Sequence, residues 1–258
     1  MNFAICDLSV IPLRSETSDQ SEMISQLLFG EVVEVRERAR QWLRVRTFWD
    51  SYDGWIDEKQ VQPITLKTFR ELTATPIHCA LDTAGIAQSK FRSLPLLTGS
   101  SLPYFKEGRF RINEEEFTFN GQVTDPAAAD ITRQIPAFAR SFQNTPYHWG
   151  GRSVFGIDCS GFTNVVFKLA GIQLRRDAWQ QSEQGVLISF IDQARAGDLA
   201  FFHNEEGRIN HVGIILDDQQ IIHASGRVRI DTIDHYGIFN EEQKKYSHQL
   251  RLVKRIIS

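Results

Sequence analysis

The sequence predicts an α+β fold, in which helices pack on an antiparallel sheet and small β-barrel modules precede them along the chain. Residues 1–64 alternate apolar and polar side chains in short runs separated by turn residues, a pattern typical of the half-buried strands of a small barrel. Beyond residue 127, helical spacing comes first and several consecutive strand patterns follow. That order favours helices placed against an antiparallel sheet.

Three segments follow from these patterns. Residues 1–64 contain strand patterns at 31–36 and 42–46 and then a turn before a third strand. The run PLRSETSDQSEMISQLLFGEVVEV, followed by WLRV and YDGWI, resembles bacterial SH3 domains. Residues 65–126 predict a second small SH3-like β module, with a hairpin turn at Asn120-Gly121 because Asn-Gly favours the tight turns of hairpins. Residues 127–258 form the third segment.

Composition limits the classes of function. With 41% hydrophobic and 24% charged residues, the chain can form a packed core, and its net charge of −3 gives no whole-chain reason to expect nucleic acid as a partner. No run of about 18 apolar residues predicts a membrane span. The three cysteines lack a CxxC pair, which argues against a disulfide framework. Without a basic, apolar leader we expect a cytoplasmic protein, or a periplasmic or secreted one if a leader has been removed.

The stretch from residue 147 to 171 predicts a glycine-rich loop that turns into a helix over residues 159–170. Asp158 is suited to the N-cap and Gly171 to the position after the helix. One helical face is apolar, formed by Phe162, Val165, Val166 and Leu169. Cys159 would lie in the first turn, where unpaired N–H groups and the helix dipole favour a thiolate. Cys159 is therefore the candidate nucleophile, and we expect its thiol to be ionised.

A nucleophilic cysteine needs a base and a group that orients the base. His211 and His223 begin or lie within two strand patterns joined by a short turn, so antiparallel pairing would bring their strands to about 5 Å. Zinc is the competing interpretation, since one cysteine and two histidines are zinc ligands. The sequence shows no fourth ligand with the usual spacing, which favours cysteine catalysis and predicts no cofactor. The remaining histidines are expected to be ordinary surface or core residues, namely His148, His203, His235 and His248.

Five blocks then match a known family: YHWGGRSVFGIDCSGF, LRRDAWQQSEQG, AGDLAFFH, INHVGIIL and IIHAS. Over residues 130–258 the chain resembles the NlpC-type cell-wall peptidases, which are papain-like cysteine peptidases. Together with the SH3-like start, it resembles the branch that cleaves γ-D-glutamyl–L-diamino acid bonds in murein peptides. The resemblance implies hydrolysis of the amide between D-Glu and meso-diaminopimelate or Lys.

The resemblance also implies roles for individual residues. Cys159 would be the nucleophile, His211 the base and His223 the orienting group. Tyr147 would support the oxyanion together with the backbone N–H of Cys159, and such a donor typically contributes about 10²- to 10³-fold in rate.

The residues implied to contact the substrate lie beside the nucleophile and at the next predicted helix; they are Asp158, Ser160 and Asp177. Asp177 would bind the free α-amine of an N-terminal L-Ala, and Glu31 and Tyr52 of the first module are expected to close this amine pocket. Branch members often carry Ser at the position of Ala178, so one substrate hydrogen bond would be missing here.

A pocket closed in this way would admit only a short murein peptide with a free amino end, which predicts peptide recycling. Two alternatives stay open from the sequence. One is a catalytically spent murein-binding protein on the same fold, and the other is an amidase or acyltransferase.

Overall fold

The computed structural model describes residues 2–217 and 219–257. Its first module is a seven-stranded sheet in the order β3-β2-β6-β5-β4-β1-β7. Its strands are β1 (Phe3–Cys6), β2 (Val10–Arg14), β3 (Met23–Leu28), β4 (Val32–Ala39), β5 (Trp42–Thr47), β6 (Asp53–Asp57) and β7 (Val61–Pro63). The strands predicted at 31–36 and 42–46 are confirmed as β4 and β5, and the neighbouring strands of this sheet pair antiparallel. The inward-facing residues of this sheet are fully buried, as at Leu13, Val33, Val45 and Ile56.

The second module begins with a helix and continues as a four-stranded sheet in the order β10-β9-β13-β12, beside the pair β11-β8. Its elements are α1 (Leu66–Ala74), β8 (His78–Cys79), β9 (Ala84–Ser89), β10 (Ser93–Leu97), β11 (Ser101–Leu102), β12 (Arg109–Ile112) and β13 (Glu115–Phe119). The SH3-like assignment of this module stays a prediction.

The hairpin predicted at Asn120-Gly121 is wrong. The turn lies between β12 and β13, where Asn113 adopts a left-handed φ of 50°. Asn120 and Gly121 follow β13 instead, and the next backbone N–H, that of Gln122, donates to Asp82 at 2.8 Å. Asparagine tolerates the left-handed region, so Asn113 makes this turn without glycine.

The C-terminal domain, predicted to begin at residue 127, places a helix against a seven-stranded antiparallel sheet in the order β16-β22-β17-β18-β19-β20-β21; β21 also pairs with β22. Its helices are α2 (Ile135–Ser141), α3 (Cys159–Leu169) and α4 (Ala178–Gln181). Its strands are β14 (Arg152–Ser153), β15 (Gly156–Ile157), β16 (Val186–Ile188), β17 (Leu199–His203), β18 (Ile209–Ile215), β19 (Gln220–Ser225), β20 (Arg227–Ile233), β21 (Gly237–Asn240) and β22 (Lys245–Arg255).

Helix α3 confirms the predicted helix to within a residue. The Asp158 side chain accepts the Gly161 N–H at the N-cap, and Gly171 has a φ of +74° just past the helix end. Every residue of α3 is buried, and the helix packs on β18 and β19. This packing places the helix that begins at Cys159 against β18, the strand that contains His211. Among the described residues, no helix combines the length and the apolar character needed to cross a membrane.

Candidate active site

Cys159 opens α3 at the wall of a cavity of about 550 Å³. Its side chain is 7% exposed, and its Sγ lies 4.0 Å from the backbone oxygen of Asn210. The first module and the C-terminal domain both line this cavity. The first module contributes Glu22, Ile24 and Tyr52, and the residues of the C-terminal domain include Tyr147, Trp149, Asp158, Ser160, Arg176, Asp177, Ala178 and Trp179.

His211 and His223 lie on neighbouring strands β18 and β19 with their rings in contact. The Nε2 of His211 is 2.9 Å from the Nδ1 of His223, and both residues are buried. Gly213 lies opposite His223 in the register, where a Cβ would come within 2.9 Å of the His223 Cβ. Nε2 of His211 is thus engaged with His223, so a proton from Cys159 would have to go to Nδ1; the role of His211 as the base stays a prediction.

The expectation of an ionised thiol is not supported. Burial, and next the charge of Asp158, raise the pKa of Cys159 to about 12. Burial, and next the neighbouring imidazoles of His223 and His248, lower the pKa of His211 well below its ordinary value. Burial thus favours the neutral form of each group, a thiol at Cys159 and an imidazole at His211. The sequence showed the helix start but not the burial that opposes it.

Asp158 and Ser160, predicted to contact substrate, are held by the fully buried Arg176. The Arg176 guanidinium donates to both carboxylate oxygens of Asp158 at 2.6 and 3.1 Å and to Ser160 Oγ at 3.0 Å. Its Nε donates to Ser25 Oγ of the first module at 2.8 Å. Asp158 thus caps the helix and neutralises a buried cation, while both residues also line the cavity. Their contact with substrate stays a prediction.

Tyr52 reaches across the junction between the modules to Asp177. Its hydroxyl lies 3.2 Å from each carboxylate oxygen, in the cavity that contains Cys159. Burial raises the pKa of both groups. Ala178 begins α4 at the same wall, so the residue at this position offers the cavity no side-chain hydroxyl. The structure therefore brings together two of the three residues predicted to form an amine pocket.

The prediction for Glu31 is wrong, because its side chain turns into the protein. It accepts hydrogen bonds from Arg152 at 2.8 and 2.9 Å and from Lys168 at 2.6 Å. Burial alone raises the pKa of Glu31, but these two cations outweigh it and lower the pKa to about 2. The carboxylate of the first module that does line the cavity is Glu22, which accepts the Trp149 Nε1–H at 2.6 Å.

Sequence reasoning missed four residues around the site: Glu22, Arg176, Asp231 and His248. Asp231 lies in β20 and its Oδ2 is 3.0 Å from His223 Nε2. His248 was expected to be an ordinary histidine, yet its ring stacks on that of His211 with centroids 4.1 Å apart. Gly226 was a signal in the sequence that could have indicated this neighbourhood. It lies in the turn between β19 and β20, and the pairing of these strands sets Arg229 opposite His223.

Among the described residues, one group of side chains offers a set of metal ligands. His211, His223 and His248 have nitrogens within 4.8 Å of one another. Imidazole lone pairs lie in the ring plane, and the planes of His211 and His248 are only 22° apart in a stack. Such rings do not converge on one ion without rotating. His211 and His223 already share a hydrogen bond, so the geometry favours proton transfer.

A buried cysteine at a helix start and two imidazoles in contact on neighbouring strands are the side chains that cysteine hydrolases use. The model of the NlpC/P60 family matches residues 144–249, and that of the bacterial dipeptidyl-peptidase SH3 domain matches residues 13–61.

Curated relatives and a solved structure agree. A γ-D-glutamyl-L-lysine dipeptidyl-peptidase of Bacillus subtilis is 32% identical over 219 residues, which cover 78% of this chain and 71% of the relative. A protein of the same name from Bacillus cereus is 27% identical over 235 residues, covering 80% and 68%. The crystal structure of an NlpC/P60 family protein from Bacillus cereus has a TM-score of 0.81 at 22% identity, covering 99% of this chain and 100% of that one, which shows the shared fold. The chain belongs to the NlpC/P60 family and is a cysteine peptidase with an SH3 domain ahead of its catalytic residues.

Proposed function

We propose that this protein is a papain-like endopeptidase that hydrolyses the γ-D-glutamyl–L-diamino acid bond of murein peptides with a free N-terminal L-Ala. The observation that carries the proposal is the contact of Tyr52 with Asp177 in the cavity of Cys159. The names of the relatives from two Bacillus species support the same bond with lysine as the diamino acid.

The proposed chemistry starts from a neutral thiol at Cys159 and a neutral imidazole at His211. The Cys159 sulfur attacks the γ-carbonyl of D-Glu while His211 Nδ1 takes the thiol proton. The oxyanion accepts hydrogen bonds from the Cys159 N–H at the helix start and from the Tyr147 hydroxyl. Burial is the main cause that raises the pKa of Tyr147 to about 12, so its hydroxyl stays protonated and can donate.

Collapse of the tetrahedral intermediate breaks the amide bond, and His211 returns its proton to the departing amine of the diamino acid. A thioester then joins Cys159 to the D-Glu acyl group. Water, deprotonated by His211, attacks this thioester and releases L-Ala-γ-D-Glu with the thiol restored.

The free amine is selected by charge. An ammonium group at the cavity wall would meet the half-buried carboxylate of Asp177, which Tyr52 orients. An acylated amine carries no charge and adds bulk against the first module. A stem peptide still joined to the glycan would therefore bind poorly, which supports a role in recycling released peptides.

The test is hydrolysis of L-Ala-γ-D-Glu-L-Lys and of its diaminopimelate analogue, followed by product mass. We expect Cys159→Ala or iodoacetamide to abolish release of the diamino acid, whereas Cys79→Ala, which removes another buried cysteine, should retain it. Acetylating the substrate amine should sharply reduce kcat/KM. Turnover by Cys159→Ala would refute the nucleophile, and products of acyl transfer or of another bond would favour a transferase or amidase.

A further inference from the structure

A buried carboxylate lies on the ring nitrogen of His223 opposite the one that faces His211. Asp231 is 6% exposed, and its Oδ2 is 3.0 Å from His223 Nε2. Arg229 holds Asp231 from the other side, with its Nε 2.6 Å from Oδ2 and its Nη2 2.8 Å from Oδ1. Although burial raises the pKa of Asp231, the hydrogen bonds from His223 and Arg229 outweigh it and lower the pKa below its usual range. The group is therefore a carboxylate, which only accepts hydrogen bonds.

Asp231, His223 and His211 form a row of hydrogen bonds, and the direction of each bond follows from the charge of Asp231. Since Asp231 only accepts, His223 Nε2 must carry a hydrogen and donate it. Burial lowers the pKa of His223 despite the carboxylate, so the ring is neutral and its Nδ1 is an acceptor. The hydrogen shared over 2.9 Å between the two rings then belongs to His211 Nε2. A neutral His211 with its hydrogen on Nε2 presents an unprotonated Nδ1, the nitrogen that the thiol of Cys159 requires.

We propose that Asp231 is a positioning residue that sets the tautomers of both histidines and so keeps Nδ1 of His211 available as the base. The inference rests on the proposed peptidase function for its catalytic consequence, but not for the tautomers themselves. Arg229 keeps Asp231 charged and fixed, since its guanidinium contacts both carboxylate oxygens. His248 contributes separately, because its stacked ring restricts the rotation that would exchange the two nitrogens of His211.

The direct measurement is nitrogen-15 NMR of histidine-labelled protein, which distinguishes Nδ1–H from Nε2–H tautomers without substrate. At neutral pH we expect the wild type to show both His211 and His223 as Nε2–H tautomers. An Nδ1–H tautomer at His211 in the wild type overturns the proposal, whatever the enzyme cleaves. Wild-type protein with the expected tautomers but no hydrolysis of the murein tripeptide would instead reject the proposed substrate and leave the hydrogen-bond row standing.

Asp231→Asn tests the cause. The amide is neutral and presents a donor as well as an acceptor, so the Nε2–H form of His223 loses its preference. We expect mixed tautomers and a kcat lower by about 10- to 100-fold with KM within about twofold. This loss is smaller than the ~10⁴-fold loss when the carboxylate directly behind a catalytic histidine is changed, because His223 lies between Asp231 and the base. Alkylation by iodoacetamide should slow in parallel, and this readout needs no substrate.

Asp198→Asn is the matched control. Asp198 is also buried and held by an arginine through both oxygens, with Arg255 at 3.0 and 2.7 Å. Its amide variant should lose stability to a similar degree yet keep kcat and both histidine tautomers. An Asp231→Asn protein with unchanged kcat, alkylation rate and tautomers would overturn the proposal, and equal losses in both variants would assign Asp231 a purely structural role.

Discussion

Replacing Glu31 with glutamine removes the negative charge that pairs with two cations in a buried ion cluster between the first module and α3. The Glu31 carboxylate is 6% exposed and is bound by Arg152, Lys168 and the Leu28 N–H, the last at 3.0 Å. Both cationic side chains are almost fully buried. Glutamine preserves the size of the side chain but leaves two buried cations without their counter-ion.

Two arguments give similar magnitudes for the loss. Removing one partner of a buried ion pair typically costs about 3–5 kcal/mol. Independently, the pKa of Glu31 falls from an ordinary 4.5 to about 2, which at ~1.4 kcal/mol per pH unit corresponds to about 3 kcal/mol. A lowered carboxyl pKa contributes stability above the unfolded-state pKa, and this is lost as the pH falls from about 4.5 to about 2. At about 2–4 °C per kcal/mol for a chain of this size, the unfolding midpoint should fall by about 6–12 °C.

Thermal unfolding followed by circular dichroism at pH 7 measures this shift. The control is Glu34→Gln, which removes an exposed pair with Arg36 at 2.9 Å; such pairs contribute at most about 1 kcal/mol. Glu31→Gln/Lys168→Met should be less destabilising than the sum of its two single changes, because it removes one unpaired cation. The difference between wild type and Glu31→Gln should also shrink below about pH 4.5. A midpoint for Glu31→Gln within 2 °C of the control would refute the reasoning.

Two further outcomes concern catalysis. Tyr52→Phe removes the hydroxyl 3.2 Å from both oxygens of Asp177, so KM for the free-amine peptide should rise about 2- to 10-fold; an equal rise for the acetylated peptide would argue against an amine pocket. Because burial and neighbouring imidazoles lower the pKa of His211 well below 6.5, the base stays neutral at mildly acidic pH. The pH profile of kcat/KM should therefore hold through pH 6.5 and decline only as the pH falls through the lowered pKa, and a midpoint near 6.5 would contradict this.

The parts of the site that sequence reasoning predicted are those with local signals. Asp158 and Gly171 mark the ends of α3 because capping depends on residues within one turn of the helix end. The strands that carry His211 and His223 could be predicted because they are short apolar runs beside a turn. Their pairing followed from the short connection between them.

Residues whose roles depend on the docking of distant segments could not be predicted in this way. Glu22 and Glu31 are both carboxylates of the first module, and nothing local distinguishes the one that lines the cavity from the one that turns inward. Their placement is decided by Arg152 and Trp149, more than 100 positions along the chain. Burial at Cys159 is likewise a product of the assembled fold, so the helix start alone could not predict the burial that raises the pKa of its thiol.

The buried contacts at this junction connect the proposed amine pocket to the proposed nucleophile. Arg176 bonds Ser25 of the first module and Asp158, which caps the helix that begins at Cys159. The next residue after Arg176 is Asp177, which meets Tyr52 from the same module. A shift of the first module would therefore disturb the amine pocket and the support of the helix start together. Apolar packing would cost less to bury at this junction, whereas the directional bonds of Arg176 and Tyr52 relate the first module to Asp158 and Asp177.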